Sequence, residues 1–592
     1  MTTTTTIETR SVDDHGELMH ADDATAQLCL SLVRLEAALS TRGLGLASVS
    51  QVRIHAIEPR TASELVELVL ERFGTVATTP VVAWVGCARL DPPGTLVRLA
   101  ADVPADRPTG RPAGPPTRRP ADAPTHRPAD PPNRRTDMNP SLTDTSTLRA
   151  AGAVHLPGDP GYEAATMPWN LAVVQRPAAV AIPRSADEVA RVVAAATALG
   201  LRIAPQGTGH GAAALAARPL DDAVLVRMHE FTGVTVDPVA RTARVLGGTL
   251  WRDVVAAAAP HGLAALHGSA GDVAVAGYAL GGGLSFYGRA HGLASSHVRA
   301  VELVTADGTI VRASADERPE LLWALRGGGG GSFGVVVAVE LDLIPVADVV
   351  AGMLLWDLSR GPEVARAWSR WTAGLPESAT TSLRFMRFPP DPAMPPFLRG
   401  RSLVVVDGAI LEDDEGAAEL LAPLRALDPE IDTFARIPAA GLVDVHMDPP
   451  GPVPAVSDHA LLAELPDAAI DALVGVAGPG VEIPLMFAEL RHLGGALARP
   501  ADGALARLDG AYALFAASPA PTPEMAAAGT EATSAVAAAL SPWSTGGAFL
   551  NFADREVAVA SAFGADDWER LVEVRREVDP DGVFAAAHPI EG

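Results

Sequence analysis

One histidine stands between two glycines in Pro205-Gln-Gly-Thr-Gly-His-Gly211, a setting that lets an imidazole come close to a bound cofactor. Two more glycine-dense segments follow: His267-Gly-Ser-Ala-Gly-Asp272 with Gly281-Gly-Gly283, and Gly327-Gly-Gly-Gly-Gly331. All lie in one apolar, strand-rich stretch, each closing or opening a β-branched run. Glycine lacks Cβ and tolerates positive φ, so successive backbone N–H groups can converge on a phosphate oxygen without a lysine. Any one segment alone reads better as a turn. Three together, one carrying a histidine, predict a cradle for a dinucleotide's pyrophosphate.

Such loops need elements to hold them. From Pro177 onward a helix over 186–199 alternates with short strands over 202–205, 223–227, 233–236 and 242–246, which predicts an α+β domain of paired strands flanked by helices. The run from Gly327 to Gly334 has the look of a dinucleotide fingerprint, yet it follows a helix over 320–326 and leads into a strand over 335–343. That is the reverse of the strand-to-helix order the fingerprint requires, so no Rossmann unit is expected. Residues 350–545 predict a second sheet backed by helices, including 363–373 and 415–426.

The bulk numbers remove several functions. A chain of 592 residues with a formal net charge of −25 can bury several cores, and it lacks the clustered cations that a nucleic-acid partner demands. There is no lysine, so neither a Walker-type phosphate loop nor a pyridoxal Schiff base has its residue. The threonine-rich start, Met1 to Arg10, lacks the pattern of a secretory signal, and no apolar run reaches membrane-spanning length. A cytoplasmic location without membrane contact is the expectation. Two cysteines, Cys29 and Cys87, exclude a disulfide framework or a cysteine-rich metal site.

The order of further pieces carries a family resemblance. Arg176-Pro-Ala-Ala-Val-Ala-Ile-Pro183, Gly207-Thr-Gly-His210, Val275-Ala-Gly277 and Gly281-Gly-Gly-Leu-Ser-Phe-Tyr-Gly288 are followed by Leu322-Trp-Ala-Leu-Arg-Gly327 with Phe333-Gly-Val-Val336. Then come Glu489-Leu-Arg-His-Leu-Gly-Gly495, Phe549-Leu-Asn-Phe552, and Arg570-Leu through Val578-Asp-Pro580 with Val583-Phe584. From about Asp159 to Ile590 this colinear series resembles the berberine-bridge-enzyme-like branch of the vanillyl-alcohol oxidase superfamily. The resemblance implies a two-subdomain FAD-binding fold over 151–348, an antiparallel-sheet substrate cap over 349–545, and a return to the FAD domain over 546–592.

It also implies roles. His210 would bond to the 8α-methyl carbon of FAD, raising the cofactor's reduction potential. Gly207, Thr208, Gly209, Gly211, Gly268, Ser269, Gly271, Asp272, Gly277, Gly281, Gly282, Gly283, Gly288, Val335 and Asn551 would line the cofactor, with Val273 as a small gatekeeper that leaves room for O2. Some relatives add a cysteinyl bond, but Ala270 stands at that place, so the tether would be histidine alone. Tyrosine and histidine common in the motif Phe549-Leu-Asn-Phe552 are both phenylalanine here, and neither can take a proton. Candidates for the base are Glu489, His492, Tyr512 and Tyr287. Strand alternation puts Arg491 on the face with Glu489, and His492 on the other with Leu490.

Ahead of this lie three further segments. Residues 1–19 are expected to be disordered, and 105–150 form a linker whose prolines over 105–137 remove N–H donors. Met138 hints that two ancestral units were joined here. Between them, 20–104 predict a small α/β domain with helices over 24–42 and 62–73 and strands over 49–57, 80–88 and 95–101. Phe73-Gly74, Ala88-Arg-Leu90 and Gly94-Thr-Leu-Val97 resemble the reactive-intermediate deaminase family, which implies a homotrimer. That family's arginine and carboxylate fall near Val82 and Ala100, so a scaffold or binding role is expected in place of hydrolysis. The expected activity of the whole is hydride removal from a small-molecule alcohol, sugar or amine, with O2 as acceptor. A dehydrogenase with another acceptor, a trimeric scaffold without turnover, and an N-terminal domain that shelters an imine made by the flavin domain stay open.

Overall fold

A computed structural model describes residues 145–390, 397–449 and 451–591, together with 4–9, 35, 49, 51–56, 81–86 and 97–104. The chain divides into two compact units, Met1–Arg134 and Arg135–Gly592. In the first, a four-stranded sheet runs in the order Thr4–Thr9, Val97–Pro104, Gln51–Ala56, Val81–Gly86. The last two strands are parallel and the other pairs antiparallel. Thr4–Thr9 falls in a stretch expected to be disordered, but pairs with Val97–Pro104 over its whole length; its run of β-branched residues suits a strand. The helices expected at 24–42 and 62–73, the motifs at Phe73, Ala88 and Gly94, both cysteines and the proline-rich run over 105–137 lie outside the described residues.

The second unit holds two small sheets and one large one. The first small sheet has the order Val154–His155, Ala179–Ala181, Ala223–Arg227, Arg202–Gln206, and its last three strands run parallel. This differs from a simple set of paired strands, because Ala186–Ala198 crosses between two of them as a helix. Residues Ala179–Ala181 and Ala223–Arg227 are buried on both faces, as the inner strands of a parallel sheet must be. The crossing helix starts where the sequence signals it: Ser185 accepts from Glu188 N at 3.2 Å, and Val189, Val192, Val193 and Ala196 face inward at helical spacing.

The second small sheet is antiparallel: Ile310–Ser314, Val298–Val304, Val335–Asp342, Thr242–Leu246, Val234–Asp237. Its main core gathers Trp251, Leu280, Trp323, Phe333 and Val339. The helix Pro319–Gly328 breaks at Arg326 and Gly327 before the strand Val335–Asp342, which is the helix-to-strand order that excludes a Rossmann reading.

The large sheet falls in the stretch expected as the cap. Its antiparallel path runs Ile431–Asp432, Asp348–Asp357, Ser402–Ile410, Ala379–Arg387, Phe487–His492, Tyr512–Pro519, Ala455–Leu462, with Ala435–Pro438 also pairing Asp348–Asp357. Helices Gly361–Thr372, Asp467–Ala477 and Pro523–Leu540 cover one face through Trp368, Leu473 and Val536. Asn551 sits in a single turn, Leu550–Phe552, after the helix Pro523–Leu540. The chain then returns through the helix Ala565–Val578, and residues 583–585 bond to both backbone groups of Ile203 in the first small sheet. Among the described residues no helix is long and apolar enough to cross a membrane.

Candidate functional site

The loop 207–211 joins the strand Arg202–Gln206 to the short helix Ala212–Ala216, and the loop 267–274 leads into the helix Val275–Leu280. The two loops touch. A Cβ on residue 207 would fall 2.7 Å from Ala274 Cβ, so this approach exists only with glycine there. Gly209 has φ +91 and a Cβ on it would meet Pro168 at 2.7 Å, so both conformation and space demand glycine. Thr208 contributes its carbonyl, which accepts from Trp169 N at 2.9 Å.

These contacts bring His210 against two residues. Its ring stacks on Trp169 with centroids 4.1 Å apart and planes 25° from parallel. Its Nε2 lies 3.8 Å from Asp272 Oδ1, while Asp272 Oδ2 accepts from Trp169 Nε1 at 2.6 Å. Burial pushes the imidazole below its ordinary range, opposed by the carboxylates of Asp272 and Asp448. Trp169, in Met167-Pro-Trp-Asn170, is a site residue that the motifs do not announce; an aromatic in the stretch between the strands Val154–His155 and Ala179–Ala181 is its only signal.

The other predicted glycines divide. Gly281, Gly282 and Gly283 pack on Asn551, Leu505, Phe549 and Tyr278, and Asn551 Nδ2 donates to Tyr278 O at 3.1 Å. Gly268 packs on Tyr278, and Gly271 against Val443 and Arg252. The third glycine segment joins through Gly329 N, which donates to Leu280 O at 3.0 Å. Val273 is half-buried against the main core. Val335 is wholly inside the core, and Gly288 packs on Leu497, so neither is brought to His210 by its contacts. Gly211 and Gly277 alone among the predicted glycines are exposed, and no atom lies within 4 Å of the place a Cβ would take on either.

Across from Ser269 stands the cap strand Phe487–His492. As alternation requires, Glu489 and Arg491 share a face: Arg491 Nε donates to Glu489 Oε1 at 2.9 Å. Arg491 Nη2 is 3.4 Å from Ser269 Oγ, and its guanidinium lies 5.2 Å from the Phe552 ring centroid. Behind it is a buried network that no motif announces. Arg384 Nη2 donates to Asp407 Oδ2 at 2.6 Å, His446 Nδ1 is 2.7 Å from the same oxygen, and His446 Nε2 is 3.3 Å from Glu489 Oε1. Burial works against the Asp407 carboxylate, but Arg384 and His446 outweigh it and hold the group well below the usual carboxylate range. Asp448 is likewise held low: burial is outweighed by His446, a hydrogen bond from Ser269, and Arg491.

The remaining candidates for the base have other commitments. His492 Nε2 accepts from Arg289 Nη1 at 2.7 Å, and burial with that guanidinium pushes the ring down to about 3. Tyr512 shares a 2.7 Å hydrogen bond with Thr372 inside the cap core. Tyr287 is enclosed in the FAD-side core, and burial raises its phenol. Glu489 is fully buried between Arg491 and His446. A cleft between Ser269, Phe286, Thr380, Arg491 and His492 separates the loop from the cap.

FAD fits these residues. His210 Nε2, Asp272 Oδ1 and His267 Nε2, on the loops that the glycines bring together, and Tyr278 OH, on the helix that follows, are enclosed polar atoms without a partner. The space beside Gly211 and Gly277 is open. Among the described residues no group of three or more histidine, cysteine, aspartate or glutamate side chains is arranged to hold a metal ion.

Comparison with known proteins agrees. Residues 177–314 match the FAD binding domain family, and 548–591 match the family described as berberine and berberine like. The chain is 37% identical over 210 residues to (R)-6-hydroxynicotine oxidase of Paenarthrobacter nicotinovorans, covering 35% of this chain and 45% of that one. The curated relative is thus matched over less than half its length. The solved structure of 6-hydroxy-D-nicotine oxidase from Arthrobacter nicotinovorans superposes with a TM-score of 0.63 at 26% identity, covering 73% of this chain and 96% of that one. Glucooligosaccharide oxidase from Acremonium strictum, which carries a 6-S-cysteinyl, 8α-N1-histidyl FAD, shares the fold with a TM-score of 0.63 at 22% identity, over 76% of this chain and 98% of that one. Residues 177–314 are therefore an FAD-binding domain of the kind found in FAD-linked oxidoreductases, closed by a berberine-like segment over 548–591.

Proposed function

We propose that the chain is an FAD-dependent oxidase that removes a hydride from a small alcohol, sugar or amine and passes the electrons to O2. The observation that carries this is that the loop 267–274 joins the two sides: its Asp272 faces His210, and its Ser269 faces Arg491 of the cap strand Phe487–His492 across a cleft. The relatives named as nicotine and oligosaccharide oxidases support it. Bound FAD supplies the hydride acceptor and the route to O2.

The chain's own residues divide the remaining work. His210 holds the cofactor covalently as its single tether, Ala270 standing where a second, cysteinyl one would attach. Gly207, Thr208 and Gly209 give it backbone at close approach, and Asn551 ties the glycine turn at 281–283 to the helix before it. Arg491, aimed by Glu489, offers donors toward Ser269 for an oxygen of the substrate. His492 is neutral, and its Nε2 already accepts a hydrogen bond from Arg289, so it orients substrate and does not deprotonate it. Asp448, kept ionised by His446, Ser269 and Arg491, sets a negative charge beside the Ser269 loop.

Anaerobic mixing with a panel of sugars, amino alcohols and hydroxylated aromatic amines tests the reading. At least one donor should bleach the FAD absorbance, and admitting air should restore it within the mixing time. Recovery that needs a quinone would make the protein a dehydrogenase. No bleaching with any donor would favour a binding protein without turnover.

A further inference from the structure

His210 Nε2 and Asp272 Oδ1 are enclosed polar atoms without hydrogen bonds, and they face each other at 3.8 Å. The pair is assembled from three separate segments. His210 comes from the loop after Arg202–Gln206, Asp272 from the loop before Val275–Leu280, and Trp169 clamps both by stacking on the ring and donating to the other carboxylate oxygen. The approach of Gly207 to Ala274 closes this geometry. The imidazole is 28% exposed although Nε2 is enclosed, so the accessible part of the ring is its other edge.

We propose that Asp272 is the positioning residue for covalent attachment of FAD to His210: it holds the Nε2 proton side of the ring, which leaves Nδ1 as the atom that bonds to the 8α carbon. This rests on the FAD-linked reading above. Attachment forms one Nδ1–C bond and breaks one C–H bond of the 8α methyl. The methyl proton goes to solvent, the Nε2 proton goes to Asp272, and the electron pair of the broken C–H bond stays on the FAD ring. O2 then takes that pair with two protons and leaves as hydrogen peroxide, so the sum is histidine plus FAD plus O2 giving histidyl-FAD plus hydrogen peroxide.

The reason for a carboxylate is electrostatic. Alkylation of a neutral imidazole at Nδ1 creates a cation in an enclosed place, where charge is costly. Asp272 both offsets that charge and removes the proton that carries it. An amide of the same shape would still accept from Trp169 but could do neither.

The test compares wild type with Asp272→Asn and Asp272→Glu, measuring total FAD in the native protein and the share that stays with acid-precipitated protein. Asp272→Asn should keep its total FAD and lose at least about tenfold in the attached share, the effect of one unit of proton affinity or more. Asp272→Glu should recover part of it, and the attached fraction should show the altered near-ultraviolet absorption of an 8α-substituted ring. Full attachment in Asp272→Asn would overturn the proposal. So would loss of all FAD from that variant, because Asp272 would then hold the cofactor and not direct its attachment. Wild-type protein that takes up no FAD would instead fail the reading on which the proposal rests.

Discussion

Gly211 and Gly277 differ from the other glycines of the cradle because no protein atom forbids a side chain there. Gly277 lies inside the helix Val275–Leu280, where alanine is favoured over glycine by about 1 kcal/mol. Gly277→Ala should therefore leave the melting temperature of the FAD-free protein unchanged or higher, while weakening FAD binding if the cofactor fills that space. Unchanged FAD affinity, measured by fluorescence titration, would move the cofactor elsewhere. His492 gives a second test at this scale. Its ring titrates near 3 in the folded protein against an ordinary value of 6.5, so the unfolded chain binds the extra proton between those values. Its contribution is complete above about pH 6.5 and lost progressively as pH falls toward 3. His492→Gln, whose carbonyl can still accept from Arg289, should flatten that part of the stability profile in urea unfolding. A profile as steep as wild type would show that other groups carry it.

At the scale of elements, much is legible in the sequence and some is not. The helix Ala186–Ala198 stands out through its periodicity and a capping serine, the strand Ala223–Arg227 as a short apolar run, and Thr242–Leu246 through alternation. The faces of Glu489 and Arg491 follow from alternation alone. The network of Arg384, Asp407 and His446 does not, because it joins strands and a loop far apart in sequence. Its one local trace is Asp407 at the end of Leu403-Val-Val-Val406, a charge in a run that is otherwise apolar. Such a residue must find a partner or remain protonated, and Arg384 supplies it. Direction along the first small sheet is equally illegible: its two inner strands, buried on both faces, give no alternation from which pairing can be read. Trp169 is the clearest omission. Nothing in a Pro-Trp-Asn sequence says that its ring will meet His210, since that contact depends on the loop geometry of Gly209 beside Pro168.

At the scale of the whole molecule, the second unit, Arg135–Gly592, contains both the matched FAD-binding segment and the large sheet with its cleft. Every group assigned to FAD or substrate comes from that unit. The same unit carries all three sheets that hold the loops, and residues 583–585 seal it by bonding to Ile203. The account therefore stands on one attachment inside one unit. The most direct measurement is the visible spectrum of protein precipitated with acid and redissolved in denaturant, for wild type and His210→Ala. The account predicts a yellow wild-type pellet with the absorbance of FAD, and a colourless His210→Ala pellet. A colourless wild-type pellet, or a His210→Ala pellet as yellow as wild type, would contradict it.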